Sequence, residues 1–318
     1  MRLAIDVMGG DYAPREIVAG ALQWAEQSED TLLLVGNEYL IKEELQLYQY
    51  PTERLEIIPA SQVVEMNESP ASALRKKKDA SIIVATRLIQ AGQADAVVSC
   101  GSTGAQLAAA IFILGRLEGI DRPPIVASIP NQAGSYSLVV DVGANVDCKA
   151  TQLLQFALLG KAYASIVMQL GNPRIGLLNN GEEEGKGNSL AIEAYKLLKD
   201  QKDLNFVGNI EGRDLFADKC DVIVCDGFIG NIVLKNMEGL AALVAQACIA
   251  ELGRLPAFFE RFDYTRVGGA PLLGVNGVSI VCHGSSKREA VFNGIKTATE
   301  CVKKDIINQQ KIVLQTTV

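Results

Sequence analysis

The stretch Ala94-Asp95-Ala96-Val97-Val98-Ser99-Cys100-Gly101-Ser102-Thr103-Gly104-Ala105 decides the fold class. Ala94–Ser99 is a short β-rich run, a glycine, serine and threonine loop follows it, and a helical pattern runs over Gln106–Leu117. Strand, glycine loop and helix start together form the unit from which layered α/β folds are assembled. They also form an anion site, because free backbone N–H groups and the positive helix end face the same point. The alternative reading of Gly101–Ala105 is an ordinary helix N-cap. The loop is neither a Walker A sequence nor Gly-x-Gly-x-x-Gly.

The same alternation extends in both directions. Strands are predicted at Leu3–Val7, Thr31–Gly36, Leu55–Pro59, Ile125–Ile129, Ser137–Asp141, Arg174–Leu178, Asn205–Gly208, Asp221–Cys225 and Val278–Cys282. Several are Val, Ile and Leu runs with little polar alternation, as expected of parallel strands covered on both faces. Helices are predicted at Ala150–Met168, Ser189–Lys199, Asn231–Leu252 and Ser285–Lys303, with Ser285 or Ser286 as the N-cap of the last. The fold class is α/β, a three-layer α/β/α arrangement with a mostly parallel sheet. No linker or internal repeat divides the chain, so residues 1–318 read as one domain, and the length permits two lobes with a cleft between them.

Composition narrows the chemistry. The 318 residues are 48% hydrophobic and carry a formal charge of −7, so no nucleic-acid partner is expected. The segment Leu3-Ala4-Ile5-Asp6-Val7 is too short and too polar for a signal core, and no apolar run suggests a transmembrane helix. The seven cysteines include no Cys-x-x-Cys and read as buried reduced thiols, which suits a cytoplasmic protein. With His283 the only histidine, multi-histidine metal sites are excluded, and no metal or cofactor is expected.

In such folds ligands bind beyond the carboxyl ends of parallel strands, so the loops there are the candidates. Gly9 and Gly10 follow the first strand and read either as a close-approach loop or as a tight turn. Asp141 and Asp147 read as turn formers or as metal ligands. Lys186 stands between Gly185 and Gly187 in an acidic loop and can swing toward a phosphate or a developing oxyanion. Asn231 follows Asp226-Gly227-Phe228-Ile229-Gly230 near a helix start, with Lys235 one turn further on.

These motifs, in order, are Ala4-Ile5-Asp6-Val7-Met8-Gly9-Gly10-Asp11, Arg75-Lys76-Lys77-Lys78-Asp79-Ala80-Ser81, Gly101–Ala105, Gly119-Ile120-Asp121-Arg122-Pro123 and Asp141–Asp147. They continue with Gly181-Glu182-Glu183-Glu184, Lys186-Gly187-Asn188, Asp226–Asn231 and His283-Gly284-Ser285-Ser286. As a set the chain resembles the bacterial phosphate acyltransferases of phospholipid synthesis (the PlsX family), which make acyl phosphate from acyl-acyl carrier protein and orthophosphate. Asn is usual in that family where Ser102 stands. The resemblance implies a fold like phosphotransacetylase and isocitrate dehydrogenase, a homodimer, and neither metal nor nicotinamide. It makes Lys186 and Asn231 catalytic, and Gly9, Gly10, Gly101, Ser102, Thr103, Gly104, Asn145, Asp226 and His283 substrate-binding.

Acyl carrier protein would dock on Arg75, Lys76, Lys77 and Lys78, although a solvated helix face is the plain alternative. Phe258, Phe259 and Phe262 beside Arg254 and Arg261 suggest either peripheral contact with the inner face of the membrane, where a glycerol-phosphate acyltransferase receives the product, or a dimer contact. Two rival functions remain at this stage: a phosphotransacetylase-type enzyme using acyl-CoA, and a non-catalytic carrier-protein scaffold.

Overall fold

Leu32, Leu33, Leu34 and Val35 are all fully buried, with no exposed alternate, as in a strand covered by helices on both faces. A computed structural model describes residues 1–256, 261 and 268–317. In chain order the elements are β1 (Arg2–Asp6), α1 (Arg15–Gln27), β2 (Thr31–Gly36), α2 (Glu38–Leu45), β3 (Leu55–Pro59), α3 (Pro70–Lys76), α4 (Ser81–Gln90), β4 (Ala96–Ser99) and α5 (Thr103–Ala109). They continue with β5 (Val126–Pro130), β6 (Tyr136–Val140), α6 (Ala150–Ile166), β7 (Arg174–Asn179), α7 (Ser189–Asp200), β8 (Asn205–Glu211), β9 (Val222–Val224) and α8 (Gly227–Leu252). The last are β10 (Ala270–Pro271), β11 (Val278–Val281), α9 (Arg288–Lys303) and α10 (Ile306–Thr317).

The chain divides into two compact units, Met1–Arg116 with Thr265–Asp305, and Leu117–Tyr264 with Ile306–Val318. The first holds a sheet of order β10-β11-β4-β1-β2-β3, parallel except for β10. Side chains alternate across it. Ala4, Leu33, Val35 and Val97 pack with Ile82 and Ile83 of α4, while α1 and α9 pack on each other and cover β2, β1 and β4. This is the expected three-layer arrangement. β10 was not anticipated, since two residues ending in Pro271 carry no strand pattern.

The second unit holds a sheet of order β5-β6-β9-β7-β8, parallel except for β5. α6 is buried on several sides because it packs on the sheet, α7 and α10 together. Of the side expected from sequence (Leu153, Leu154, Ala157, Leu158 and Lys161), Leu153, Ala157 and Leu158 are buried while Leu154 and Lys161 are only partly so, and the buried surface also includes Phe156, Leu159 and Tyr163.

Three helix starts differ from expectation. α5 begins at Thr103 and not at Gln106, so Thr103, Gly104 and Ala105 belong to its first turn. α8 begins at Gly227, with Asp226 as its N-cap, so Asn231 lies inside the helix rather than at its start. α9 is preceded by Lys287 and not by Ser285 or Ser286; Ser286 is buried.

Among the described residues α8 is the one helix long and apolar enough, by length and composition alone, to cross a membrane. Lys235 and Glu238 interrupt its apolar sequence, and these two pair with each other on the helix. Only Gly227 and Gly230 of α8 are buried. Its end is set by Gly253 in the left-handed region at φ 68°. Of the segment expected to contact lipid, Ala257–Glu260 and Phe262 lie outside the described residues, and Arg261 donates to the Ser135 carbonyl at 2.8 Å.

Phe156 is fully buried in the second unit. Phe156→Ala should cost about 3–5 kcal/mol, read as a lower urea midpoint for that unit's unfolding at unchanged slope.

Candidate active site

In the first unit three strand-end loops meet. β1 lies beside β4, and β4 beside β11, so the loops after Asp6, Ser99 and Val281 leave the sheet side by side. The Asp11 N–H donates to the Gly284 carbonyl at 2.8 Å, and the Cys282 N–H to the Ser99 carbonyl at 2.8 Å. A Cβ on Gly9 would stand 2.6 Å from the Gly101 nitrogen, and one on Gly10 3.1 Å from the Gly284 carbonyl oxygen. The two loops thus approach backbone to backbone, a contact any side chain at Gly9 would prevent. Gly9, Gly10, Gly101, Ser102, Thr103, Gly104 and His283 therefore belong to one cluster.

Asp6 organises this cluster and was missed as a site residue. Its buried carboxyl accepts the Ser99 hydroxyl at 2.6 Å and the Met8 N–H at 3.3 Å. Ser99 Oγ in turn accepts the Gly101 N–H at 3.0 Å. The Gly101 N–H is consequently turned inward, and any ligand here must be met by the rest of the loop. Ser102 caps α5, its Oγ accepting the Ala105 N–H at 3.4 Å. Ser and Asn are comparable N-caps, so the departure from the family pattern leaves this role filled. His283 Nδ1 accepts the Ser285 N–H at 3.2 Å and lies 2.7 Å from Ser285 Oγ.

The second unit uses the same device. Asp141, fully buried at the end of β6, accepts the N–H groups of Ile125, Gly143, Ala144 and Asn145 and the Asn145 side-chain amide, at 2.7–3.2 Å. Asn145 is buried, and its amide also donates to the Pro123 carbonyl. Asp226 caps α8 by accepting the Ile229 N–H at 2.9 Å. A Cβ on Gly230 would fall 1.8 Å from the Asp141 carbonyl oxygen, so α8 can start only where this position is glycine. Asn231 then lies over Gly143, with its Oδ1 3.5 Å from the place a Gly143 Cβ would occupy. Lys186 is exposed in the loop after β7, its stem against Gly181, and Asn179 holds the loop through the Lys186 carbonyl at 3.0 Å. β7 and β9 are neighbours, so Lys186 and Asn231 follow adjacent strands at the same sheet edge.

Among the described residues one group of carboxylates is close enough to share a cation: Glu182, Glu211 and Asp214. The Lys219 ammonium already bridges two of them, at 2.7 Å from Glu182 and 2.9 Å from Asp214.

Cys100, Cys148 and Cys225 are not activated nucleophiles. Burial pushes the Cys148 thiol up to about 11 and the Cys225 thiol well above its ordinary value. Cys100 is raised by its hydrogen bond to Cys282 and by burial. In the basic run, Arg75, Lys76 and Lys78 are exposed, whereas Lys77 pairs with Glu68 and donates to the Val63 carbonyl at 2.7 Å.

Loops gathered at the carboxyl ends of mostly parallel sheets define an α/β enzyme of the phosphotransacetylase fold class. A phosphotransacetylase from Streptococcus pyogenes matches 97% of this chain and 94% of its own at TM-score 0.65 and 17% identity. A branched-chain phosphotransacylase from Enterococcus faecalis V583 matches 95% and 99% at TM-score 0.63 and 17% identity. The family model described as fatty acid synthesis protein matches residues 1–309. A phosphate acyltransferase from Syntrophomonas wolfei is 62% identical over 99% of this chain and 98% of its own length, and one from Heliobacterium modesticaldum is 51% identical over 96% of each. The chain belongs to the phosphate acyltransferase family.

Burial lifts the Asp6 carboxyl above its ordinary value, against hydrogen bonds that favour the ionised form. The folded state therefore holds this proton more tightly than the unfolded chain. Asp6 contributes most stability below the ordinary carboxyl pKa of about 4, and that contribution is lost as pH rises through the folded-state value. The stability of the parent minus that of Asp6→Asn should fall as pH is raised from about 4 toward neutrality. Urea titrations at stepped pH read this difference, and a flat or rising one contradicts it.

Proposed function

We propose that the chain transfers a fatty acyl group from acyl-acyl carrier protein to orthophosphate, giving acyl phosphate for phosphatidic acid synthesis. The observation that carries this reading is the gathering of the Gly9–Gly10, Gly101–Gly104 and His283–Ser286 loops by direct backbone contact, which presents glycine-lined backbone to an anion.

Orthophosphate is itself a nucleophile, so the protein needs no activated side chain of its own. A phosphate oxygen attacks the thioester carbonyl, the C–O bond forms, and the C–S bond breaks. The carrier's thiolate leaves and takes a proton from solvent. Lys186 and Asn231 orient phosphate and polarise the carbonyl, and the Gly101–Gly104 loop holds an anionic group. Thiols held protonated by burial, Cys225 among them, are consistent with a route free of acyl-enzyme.

Carrier protein is the donor we assign because a chain of net charge −7 keeps Arg75, Lys76 and Lys78 exposed together. A second copy of this chain is the partner we assign to α8, whose Leu240 and Leu243 are 54% and 62% exposed. Peripheral contact with the membrane would bring the apolar product to the glycerol-phosphate acyltransferase that consumes it.

Lys186→Ala and Asn231→Ala should each lower turnover on the order of 10² with the fold intact by circular dichroism. Near-normal turnover in both would remove them from the mechanism. Release of free carrier protein, measured against release of free coenzyme A from the matching donors, checks the donor. Leu240→Asp combined with Leu243→Asp should turn a sedimenting dimer into a monomer; an unchanged dimer assigns the contact elsewhere.

A further inference from the structure

Residues 63–70 lead from the region after β3 into α3, and they lie against two of the glycine loops of the first unit. The Met66 methyl is 3.1 Å from the position a Cβ on Gly284 would take, and Pro70 Cγ is 2.7 Å from that on Gly104. The segment therefore runs from the loop after β11 to the first turn of α5, where Pro70 opens α3. It is lightly held. Glu65, Met66 and Asn67 are exposed; the Glu68 N–H donates to the Glu65 carbonyl, and the Ser69 carbonyl accepts the Ala73 N–H at the start of α3. Its cross-tie is Lys77, whose ammonium donates to the Val63 carbonyl at 2.7 Å and pairs with Glu68. Lys77 closes both ends of the stretch at once.

Lys77 is also the central residue of the basic run. Arg75, Lys76 and Lys78 are exposed, while Lys77 is half-buried. We infer that residues 63–70 are a strap over the glycine loops, latched by Lys77, and that an acidic carrier protein docking on Arg75, Lys76 and Lys78 releases the latch. This inference rests on the carrier-protein reading above.

The physics is that of a shared cation. Carboxylates brought to Arg75, Lys76 and Lys78 compete with Glu68 for the Lys77 ammonium and at the same time repel the Glu68 carboxylate. A partner shifts such an equilibrium only by its preference for one state, and here both effects favour the released state. A half-exposed ion pair is a weak latch, so a partner bearing several charges can reverse it. The loops would then stay covered until the acyl donor arrives, and a small donor without the acidic surface would find them covered.

The test compares two donors in the full-length protein. Glu68→Gln breaks the latch and leaves every docking cation in place. The kcat/KM for a small S-acyl-pantetheine should rise about threefold to fivefold, while that for acyl-carrier protein changes less than about twofold. An equal change on both donors, or none on the small one, overturns the inference. Hydrogen exchange of the amides of residues 64–68 in the parent should quicken on adding carrier protein at low salt and not at high salt; unchanged or slowed exchange also overturns it. If the parent cleaves neither donor with phosphate, the functional reading fails, and the exchange measurement still decides the latch.

Discussion

A carboxylate buried at the end of a parallel strand, accepting the N–H groups of the loop that follows, is the interaction on which both units depend. Asp6 does this for the loop after β1 and reaches the loop after β4 through the Ser99 hydroxyl, and Asp141 does it for the loop after β6. Burying a charge is costly unless hydrogen bonds surround it, and here the loops themselves supply those bonds. A chain that did not place Met8, Gly143 and Ala144 in these turns would leave a buried carboxyl unsatisfied. The loops are therefore fixed before any ligand arrives, which is what electrostatic preorganisation requires.

Fixing loops this way demands glycine at particular points. Gly9 meets the Gly101 backbone, and Gly230 meets the Asp141 carbonyl, at distances no Cβ could occupy. The same constraint sets the start of α8 and hence the height of Asn231 above Gly143. In the proposed mechanism glycine, lysine and asparagine carry the chemistry; Cys100, Cys220, Cys225, Cys282 and Cys301 are all buried.

Much of this was legible in the sequence, for physical reasons. Parallel strands covered on both faces are uninterrupted apolar runs, so β2 was placed to the residue; the edge strand β3, half-buried and interrupted by Glu56, was also placed to the residue, and most others within two. What could not be read was tertiary. The division of the strands between two sheets depends on pairing order, which no local pattern encodes. Gly227 and Gly230 look like loop residues, yet they lie in a helix because Asn145 and Asp141 leave no room for a side chain. The candidate residues were found by loop position and by resemblance. Asp6 and Ser99 were not, since a buried Asp at a strand end and a Ser inside an apolar run advertise nothing until the loops around them are seen. Lys77 likewise looks identical to its neighbours in sequence and differs only by its tie to Glu68 and Val63.

The central claim is that phosphate, held by backbone loops, is the attacking group. Mass spectrometry of the products formed from acyl-acyl carrier protein and fully ¹⁸O-labelled orthophosphate tests it most directly. The account predicts acyl phosphate that keeps every labelled oxygen, appearing together with free carrier protein and only when phosphate is present. Free fatty acid in its place, or thioester cleavage that does not depend on phosphate, would contradict it.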